Sequence, residues 1–337
     1  MPFQDVKGQD RAVSFLKKEL TSERVSHAYL FSGPQGSGKF LAARIFAKAL
    51  NCGAEKRDAC DACPSCLKID KGSHPDFSVV RPQGSGGLIK IDQIKQVQSG
   101  VGLKPYEGRF KVVIINDGHL MNAEASNCLL KTLEEPPDNS VLILITPKPG
   151  KLFLTIRSRC RAVRFDGLSQ AARVEILSKD PGMSKPDAVF ASRLFNSGLP
   201  VSFASQSPQD DEEKDILTEE GILDFKNRVL DEFFSDDILL DEKSFVFSGP
   251  KQRIYLILSV LMSFFRDALV LKNGCSRDLL INADSELLIS RARRLSRDRI
   301  ENILRQIAES SFLIERNVAP KQVLNTLKMR FSEEMHA

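Results

Sequence analysis

Apolar residues in the first half of the chain fall in short continuous runs, separated by stretches in which they recur with helical spacing. Four runs predict β-strands: Ala28 to Phe31, Phe77 to Arg81, Lys111 to Ile115 and Val141 to Ile145. Unbroken runs rich in β-branched residues are typical of strands that are buried on both faces of a parallel sheet. The alternation of these strands with helices predicts an α/β domain over residues 1–165.

The rest of the chain has a helical pattern. Short helical stretches over 166–207 predict a small helical lid, and an acidic stretch containing Ser and Pro around 206–215 indicates a hinge or the solvated start of a helix. Beyond it, apolar residues recur at spacings of three and four, as in Ile222, Phe225 and Val229. Residues 208–337 are therefore predicted to form an all-α domain.

Composition and charge exclude several classes of protein. Of the 337 residues, 42% are hydrophobic and 27% are charged, which is ordinary for a globular protein and excludes general disorder. The net charge of +4 permits contact with nucleic acid without marking a dedicated DNA-binding domain. The apolar run from Ile254 to Phe265 is shorter than the roughly 20 residues that cross a bilayer. The first residues lack the pattern of a secretory signal, so we expect a cytoplasmic protein.

A phosphate-binding loop is predicted directly after the first strand. The run from Gly33 to Lys39 ends in a helical pattern and contains Gly36, Ser37 and Gly38. In such a loop, the glycines let backbone N–H groups face the phosphates, the next helix presents its N-terminus, and the lysine neutralises the terminal phosphates. The sequence therefore predicts a nucleotide-binding P-loop.

Three positions depart from the pattern of an active ATPase. Phe40 stands where a Ser or Thr hydroxyl would bind magnesium. The third predicted strand ends in Asn116 and Asp117, in place of a metal-binding Asp followed by a water-polarising Glu. These losses predict a site that could still bind ATP or ADP but hydrolyses it slowly or not at all, so the chain is not expected to be an ATPase by itself.

Four of the seven cysteines are clustered with the spacing of metal ligands: Cys52, Cys60, Cys63 and Cys66. Four thiolates suit tetrahedral zinc, and a site filled entirely by protein ligands leaves no position for a reacting water. The sequence therefore predicts a structural zinc module at about residues 50–68, with an iron-sulfur cluster as the alternative.

The stretch after the fourth strand contains Ser158, Arg159 and Cys160. A Ser-Arg-Cys motif in this context resembles the AAA+ clamp-loader family of bacterial DNA polymerase III. The stretches from His27 to Phe31, from His74 to Asp76 and from Asn127 to Pro137 resemble the same family, as does the cysteine array. The resemblance covers nearly all of residues 1–165 and becomes weaker beyond them.

The resemblance implies a fold and roles for individual residues. It implies an AAA+ P-loop domain with an inserted zinc module, followed by a helical lid and an all-α collar. It makes Arg159 an arginine finger for the ATP site of a neighbouring subunit, with Ser158 and Cys160 as its motif partners and Thr146 as a sensor-like residue. Ser202 matches the position at which active subunits carry a lid arginine. Outside this context, Arg159 would be read as a surface arginine that pairs with a carboxylate.

The resemblance also implies partners. In this family, gamma/tau-type subunits keep an intact ATP site, whereas delta-prime-type subunits keep the Ser-Arg-Cys motif and lose the hydrolytic residues. This chain shows the second pattern. We therefore expect a non-catalytic subunit of the polymerase III holoenzyme, in a pentameric ring with gamma/tau-type and delta-type subunits, which places the sliding clamp on primed DNA. The alternatives are an active gamma/tau-type ATPase and a zinc-bearing nucleic-acid adaptor that binds DNA on its own.

Overall fold

The computed structural model describes residues 2–21, 25–54, 58–83, 87–179, 183–194, 221–235, 237, 239–240, 244–247, 251–282, 294–316 and 318–336. The chain divides into two compact units, Met1–Ser169 and Gln170–Ala337. Apart from residues 166–169, the predicted lid and the predicted all-α segment both belong to the second unit. The predicted boundary near residue 207, the acidic hinge and Ser202 lie outside the described residues, so the three-part division stays a prediction.

The first unit is built on a five-stranded parallel sheet. Its strands are β1 (Ala28–Ser32), β2 (Phe77–Val80), β3 (Lys111–Ile115), β4 (Ser140–Thr146) and β5 (Arg161–Arg164), in the order β2-β3-β4-β1-β5. The four predicted strands are confirmed. The pattern of apolar residues missed β5, because this short edge strand buries only Val163.

Helices cover both faces of this sheet, as the buried strands require. They are α1 (Asp10–Thr21), α2 (Lys39–Asn51), α3 (Pro64–Asp70), α4 (Ile91–Val101), α5 (Ala123–Glu134) and α6 (Leu154–Arg157), with 3-10 turns at Phe3–Asp5, Gly118–Leu120 and Pro149–Lys151. Side chains alternate between two cores, since successive strand residues point to opposite faces. Phe31 packs in the core of α1 and α2, whereas Leu30 packs in the core of α4 and α5. The predicted α/β P-loop fold is confirmed.

Every described element of the second unit is helical. The helices are α7 (Gln170–Leu177), α8 (Lys185–Leu194), α9 (Ile222–Phe233), α10 (Lys251–Lys272), α11 (Arg297–Glu315) and α12 (Pro320–His336), with 3-10 turns at Phe245–Phe247 and Arg277–Leu279. An aromatic cluster lies at the centre of this core, where Phe265 meets Phe331 and Phe264 with ring centroids 4.9 and 5.4 Å apart.

Helix α10 is the most apolar helix of this unit. Its segment Arg253–Lys272 is long and apolar enough to cross a membrane by length and composition alone. Two thirds of that segment is buried within the protein, as in a core helix, because α8, α9 and α11 pack around it. Its hydrophobicity is therefore explained by packing.

Candidate functional site

The predicted P-loop connects β1 to α2, and its glycines are required by its shape. Gly36 and Gly38 have φ angles of 71° and 81°, in the left-handed region that favours glycine. Gly33 has a φ of 152°, and a Cβ atom there would lie 2.2 Å from the carbonyl oxygen of Phe165. Gly38 is the N-cap of α2, so the loop leads directly into the positive end of a helix.

Lys39 is folded into this loop. Its Nζ donates to the carbonyl oxygens of Gly33 (2.9 Å) and Pro34 (2.5 Å) and to Oγ of Ser37 (3.1 Å). The residue is only 7% exposed, and burial lowers its pKa to about 8, against the opposing charge of Asp117. The loop oxygens hold the ammonium where an incoming phosphate would compete for it.

The carboxyl ends of the parallel strands bring the other predicted residues to the same edge of the sheet. Thr146 pairs in register with Ser32, the last residue before the P-loop, and is fully buried. Its Oγ1 accepts a hydrogen bond from the N–H of Lys148 at 3.0 Å. Asn116 and Asp117 follow β3, and Nδ2 of Asn116 donates to Oδ2 of Asp117 at 3.2 Å. The structure therefore brings Lys39, Thr146, Asn116 and Asp117 to one edge.

Asp117 sits in a mixed electrostatic environment. Burial raises the pKa of its carboxyl group, while the charges of His119, Lys39 and Arg81 oppose that shift. Burial also lowers the pKa of His119, and Asp117 opposes that change. Nδ1 of His119 is buried and has no hydrogen-bond partner among the described residues. The charges of this acid and this imidazole therefore act on each other, and each favours the charged form of the other.

Arg81 is a residue of this site that the sequence did not single out. It directly follows β2, whose last residue Val80 pairs with Ile115 of β3, and Asn116 N donates to Val80 O at 2.9 Å. Its guanidinium carbon lies 5.3 Å from the ring centroid of Phe40, which is a cation–π contact. A signal was present, since an arginine at the carboxyl end of a predicted parallel strand must lie at the edge that carries the P-loop.

The residues at this edge do not fit a magnesium ion. Phe40 offers only carbon at the position of the usual hydroxyl ligand, and its ring packs against the core around Phe46. Asn116 offers a neutral amide instead of a carboxylate. Asp117 is the one acid present at this strand end, and the guanidinium of Arg81 already acts on it.

The four predicted cysteines do converge. Their sulfur atoms all lie within 4.8 Å of one another, with 4.0 Å between Cys52 and Cys63 and 3.9 Å between Cys60 and Cys66. Zinc–sulfur bonds of about 2.3 Å at the corners of a tetrahedron place sulfurs about 3.8 Å apart. The N–H groups of Ala62 and Cys63 lower the pKa of Cys60 to about 6, so this thiol readily becomes a thiolate. The cluster fits a tetrahedral metal ion.

Charged residues tie this cysteine module to the P-loop helix. Lys48 of α2 is fully buried and forms ion pairs with Asp61, which lies between Cys60 and Cys63, and with Asp70 at the end of α3 (2.6 Å). Asp70 also lies 3.8 Å from Nε of Arg44, one turn earlier on α2. The module is therefore anchored on the helix that begins at the P-loop.

The Ser-Arg-Cys motif forms the turn between α6 and β5. Arg159 Nη2 lies 2.9 Å from Oε1 of Glu134, and its Nη1 donates to the carbonyl oxygen of Thr155 at 3.0 Å. Ser158 Oγ donates to the same carbonyl at 3.1 Å. Cys160 is buried, and burial raises the pKa of its thiol to about 12, which suits a packing role. Arg159 thus has the carboxylate partner expected of a surface arginine, although about a third of its side chain stays exposed.

The motif lies at the amino ends of the parallel strands, just before β5, whereas the P-loop lies at their carboxyl ends, just after β1. Arg161 of β5 pairs with Tyr29 and Arg164 pairs with Ser32, so the two strands run together toward the P-loop. Arg159 comes before this pairing begins, and Gly33 comes after it ends. At about 3.3 Å per residue, the strand alone separates them by roughly 10 Å. The structure does not bring Arg159 to the nucleotide site of its own chain.

Comparison with known proteins gives a consistent result. Residues 8–169 match the family model described as DNA polymerase III, delta subunit. DNA polymerase III subunit delta' of Bacillus subtilis is 27% identical over 96% of this chain and 96% of its own length. DNA polymerase III subunit tau of the same organism is 40% identical over 52% of this chain, but the chain spans only 31% of the length of tau.

A solved structure agrees with this. A DNA polymerase III gamma-subunit-related protein from Thermotoga maritima aligns with 96% of this chain and 99% of its own, at a TM-score of 0.51 and 18% identity. At that identity, the likeness concerns the fold. Fold and site define a P-loop NTPase-like protein with an inserted cysteine module. The sequence matches show that the chain is similar to subunits of bacterial DNA polymerase III, over nearly its full length to a delta' subunit and over residues 8–169 to the delta-subunit family model.

Proposed function

We propose that the chain is a delta-prime-type clamp-loader subunit that does not hydrolyse ATP itself and supplies Arg159 to the ATP site of a gamma/tau-type neighbour. It works in a hetero-oligomeric ring, pentameric and with a delta-type subunit, that places the sliding clamp on primed DNA in the cytoplasm. The match to a delta' subunit over 96% of both chains supports this type, since the tau match covers only part of each chain.

The placement of Arg159 is the observation that carries the proposal. Arg159 lies at the amino ends of the strands, away from the P-loop of its own chain. It can therefore reach the phosphate of a bound nucleotide only in another chain. Its guanidinium is partly exposed, and its partner Glu134 is half exposed. An exposed ion pair of this kind contributes about 0–1 kcal/mol, so exchanging the carboxylate for a phosphate costs little. A guanidinium can form paired hydrogen bonds to phosphate oxygens as charge develops there.

The departures in the chain's own site support a non-hydrolytic role. Without a hydroxyl at Phe40 and a carboxylate at Asn116, magnesium loses its two protein ligands, and Asp117 is shorter than the usual glutamate. The P-loop itself is intact in backbone and lysine. It is therefore proposed to bind ATP or ADP without turning it over.

The cysteine module is proposed to hold zinc in a structural role. All four ligand positions are filled by thiols from one segment, and Lys48 links that segment to α2. Zinc would fix a segment in which the described residues between α2 and α3 form neither helix nor strand. Four sulfur ligands leave no open coordination position for chemistry.

The test measures ATP hydrolysis by a gamma/tau-type partner assembled with this chain, a delta-type subunit, clamp and primed DNA. Arg159→Ala is expected to lower the partner's turnover at least about tenfold, because an arginine finger contributes about 10³–10⁵ in rate. Arg159→Lys is expected to restore little, since an ammonium cannot bridge two phosphate oxygens. Arg157→Ala, which removes an exposed arginine at the end of α6 two residues before Arg159, is the matched control and should leave turnover within about twofold.

The chain alone provides the second arm. No magnesium-dependent turnover is expected, and turnover abolished by Lys39→Ala would instead identify an active gamma/tau-type ATPase. Submicromolar binding of primed DNA by the chain alone at physiological salt would identify a nucleic-acid adaptor. Partner turnover that is unchanged by Arg159→Ala would refute the role of Arg159 as a finger.

A further inference from the structure

The nucleotide edge of the sheet carries a cation that a magnesium-dependent site does not need. Arg81 follows β2 directly, and its carbonyl accepts a hydrogen bond from Nε2 of Gln93 at 2.8 Å, which fixes the backbone there. The side chain stacks on Phe40, the second residue of α2 and the position from which magnesium is normally held. The arginine thus spans from the end of β2 to the start of the P-loop helix.

The contact with Phe40 brings this guanidinium to the residue that follows Lys39, and the two cations act on the same carboxylate. Burial raises the pKa of the Asp117 carboxyl group, and the charges of Lys39 and Arg81 both oppose that rise, so both cations act on this one carboxylate. Arg81 also lowers the pKa of Arg44, one turn beyond Phe40, although burial is the larger cause of that shift. Two cations, Lys39 and Arg81, therefore act at the start of the P-loop helix, with Asp117 as the carboxylate between their charges in the electrostatics of the site.

A divalent cation would be disfavoured in this space for two reasons. Phe40 and Asn116 supply none of the anionic or hydroxyl oxygens that magnesium requires. A guanidinium that is held on the Phe40 ring would repel a second cation brought beside it. A phosphate chain, by contrast, would find the N-terminus of α2, Lys39 and a planar donor of hydrogen bonds.

From this geometry we infer that the P-loop binds the polyphosphate of a nucleotide without a divalent metal ion, and that Arg81, stacked on Phe40, supplies the charge that magnesium supplies elsewhere. The inference rests on the proposed nucleotide binding at Lys39. This inference explains why the magnesium ligands are lost while the P-loop is intact, since the guanidinium of Arg81 takes the place of the metal ion. Such a site holds a nucleotide and lacks the metal that hydrolysis needs.

The test measures binding of ATP to the full chain by titration calorimetry, once with EDTA and once with excess magnesium. We expect the dissociation constant in EDTA to be equal to, or lower than, that in magnesium. Arg81→Ala should weaken binding in EDTA about 10- to 100-fold, as expected for loss of a charge-assisted contact to phosphate. Lys95→Ala, which removes an exposed charge on α4, is the matched control and should bind like the parent chain.

A designed reversal sharpens the test. Phe40→Ser with Asn116→Asp and Arg81→Ala restores two oxygen ligands and removes the guanidinium, so magnesium should now strengthen ATP binding at least tenfold. Circular dichroism identifies variants that fail to fold, and where Arg81→Ala fails to fold, Arg81→Gln replaces it, while Phe40→Thr can replace Phe40→Ser because it also supplies a hydroxyl. The inference is overturned if magnesium strengthens binding by the parent chain tenfold or more. It is also overturned if Arg81→Ala binds normally, or if the chain binds no ATP at millimolar concentration.

These outcomes are independent of the arginine-finger assay. If Arg159→Ala abolishes the partner's turnover but ATP binding by this chain requires magnesium, only the inference about Arg81 is refuted. Metal-free ATP binding without an effect of Arg159→Ala would sink only the proposed role of the finger.

Discussion

Asp76, from the His74-Pro75-Asp76 stretch, is expected to organise the loop that leads into β3. Its buried carboxylate accepts hydrogen bonds from the N–H groups of Tyr106 (2.7 Å), Glu107 (2.8 Å) and Gly108 (2.8 Å), and Lys111 lies 3.6 Å away. Burial alone would raise the pKa of this carboxyl group. The three N–H groups and the lysine outweigh burial, so the pKa is lowered.

The substitution Asp76→Asn keeps the shape of the side chain and removes the charge. A hydrogen bond to a charged group contributes about 1.5–3 kcal/mol, against about 0.5–1.5 for a neutral one. Three such bonds each lose about 1 kcal/mol, and Nδ2 of the new amide must face at least one N–H group. We therefore expect the free energy of opening the loop to fall by roughly 2–4 kcal/mol, or about 30- to 1,000-fold in the opening equilibrium.

Hydrogen-exchange mass spectrometry of the peptide containing Tyr106 to Gly108 measures this directly. Asp76→Asn should accelerate exchange there by that factor, whereas Ser78→Ala, an exposed change on β2, should not. Because the folded pKa of Asp76 lies below the unfolded value of about 3.9, its stabilisation is present above that pH and lost as the pH falls through the folded pKa. Protection, corrected for intrinsic exchange rates, should fall in acid in the parent chain and stay flat in Asp76→Asn. Acceleration of less than threefold at pH 7 would refute this account of the loop.

The cysteine module, its ion pairs with Lys48 and the P-loop each have consequences that can be measured. Freshly purified protein should contain one equivalent of zinc, and less than half an equivalent would contradict the assignment. Chelation should lower the unfolding midpoint because the cysteine module loses the ion that links its four thiolates. Lys48→Met should lower the free energy of unfolding, measured by urea denaturation, by about 1–3 kcal/mol. This loss is smaller than for a fully buried ion pair because the side chains of Asp61 and Asp70 are partly exposed to solvent. Gly33→Ala should reduce ATP affinity at least tenfold because of its clash with Phe165, whereas Gly53→Ala, which meets open space, should not. ATP affinity should fall as the pH rises through about 8, because Lys39 loses its proton there. An ATP affinity that does not change between pH 7 and pH 9.5 would contradict this.

The local patterns of the chain were sufficient for much of the fold and for the identity of the sites. Buried strands carry continuous apolar runs, so β1 to β4 could be predicted, whereas β5 buries a single residue and leaves no such pattern. The P-loop and the cysteine array could be predicted because their chemistry depends on fixed spacing within one segment. The Ser-Arg-Cys motif was recognised only through resemblance, since one exposed arginine has no distinctive spacing.

The tertiary structure decided which distant residues meet. Arg81 lies more than 40 positions after Phe40 in the sequence, and only the parallel order of the sheet brings their side chains together. The same order places Arg159 at the edge remote from its own P-loop, which no local pattern could reveal. Lys48 gave no signal either, because its burial depends on two carboxylates from the folded cysteine module. Sequence spacing thus determined the groups that act within one loop, and strand order determined the groups that act between loops, because contacts between distant segments exist only once the sheet has formed.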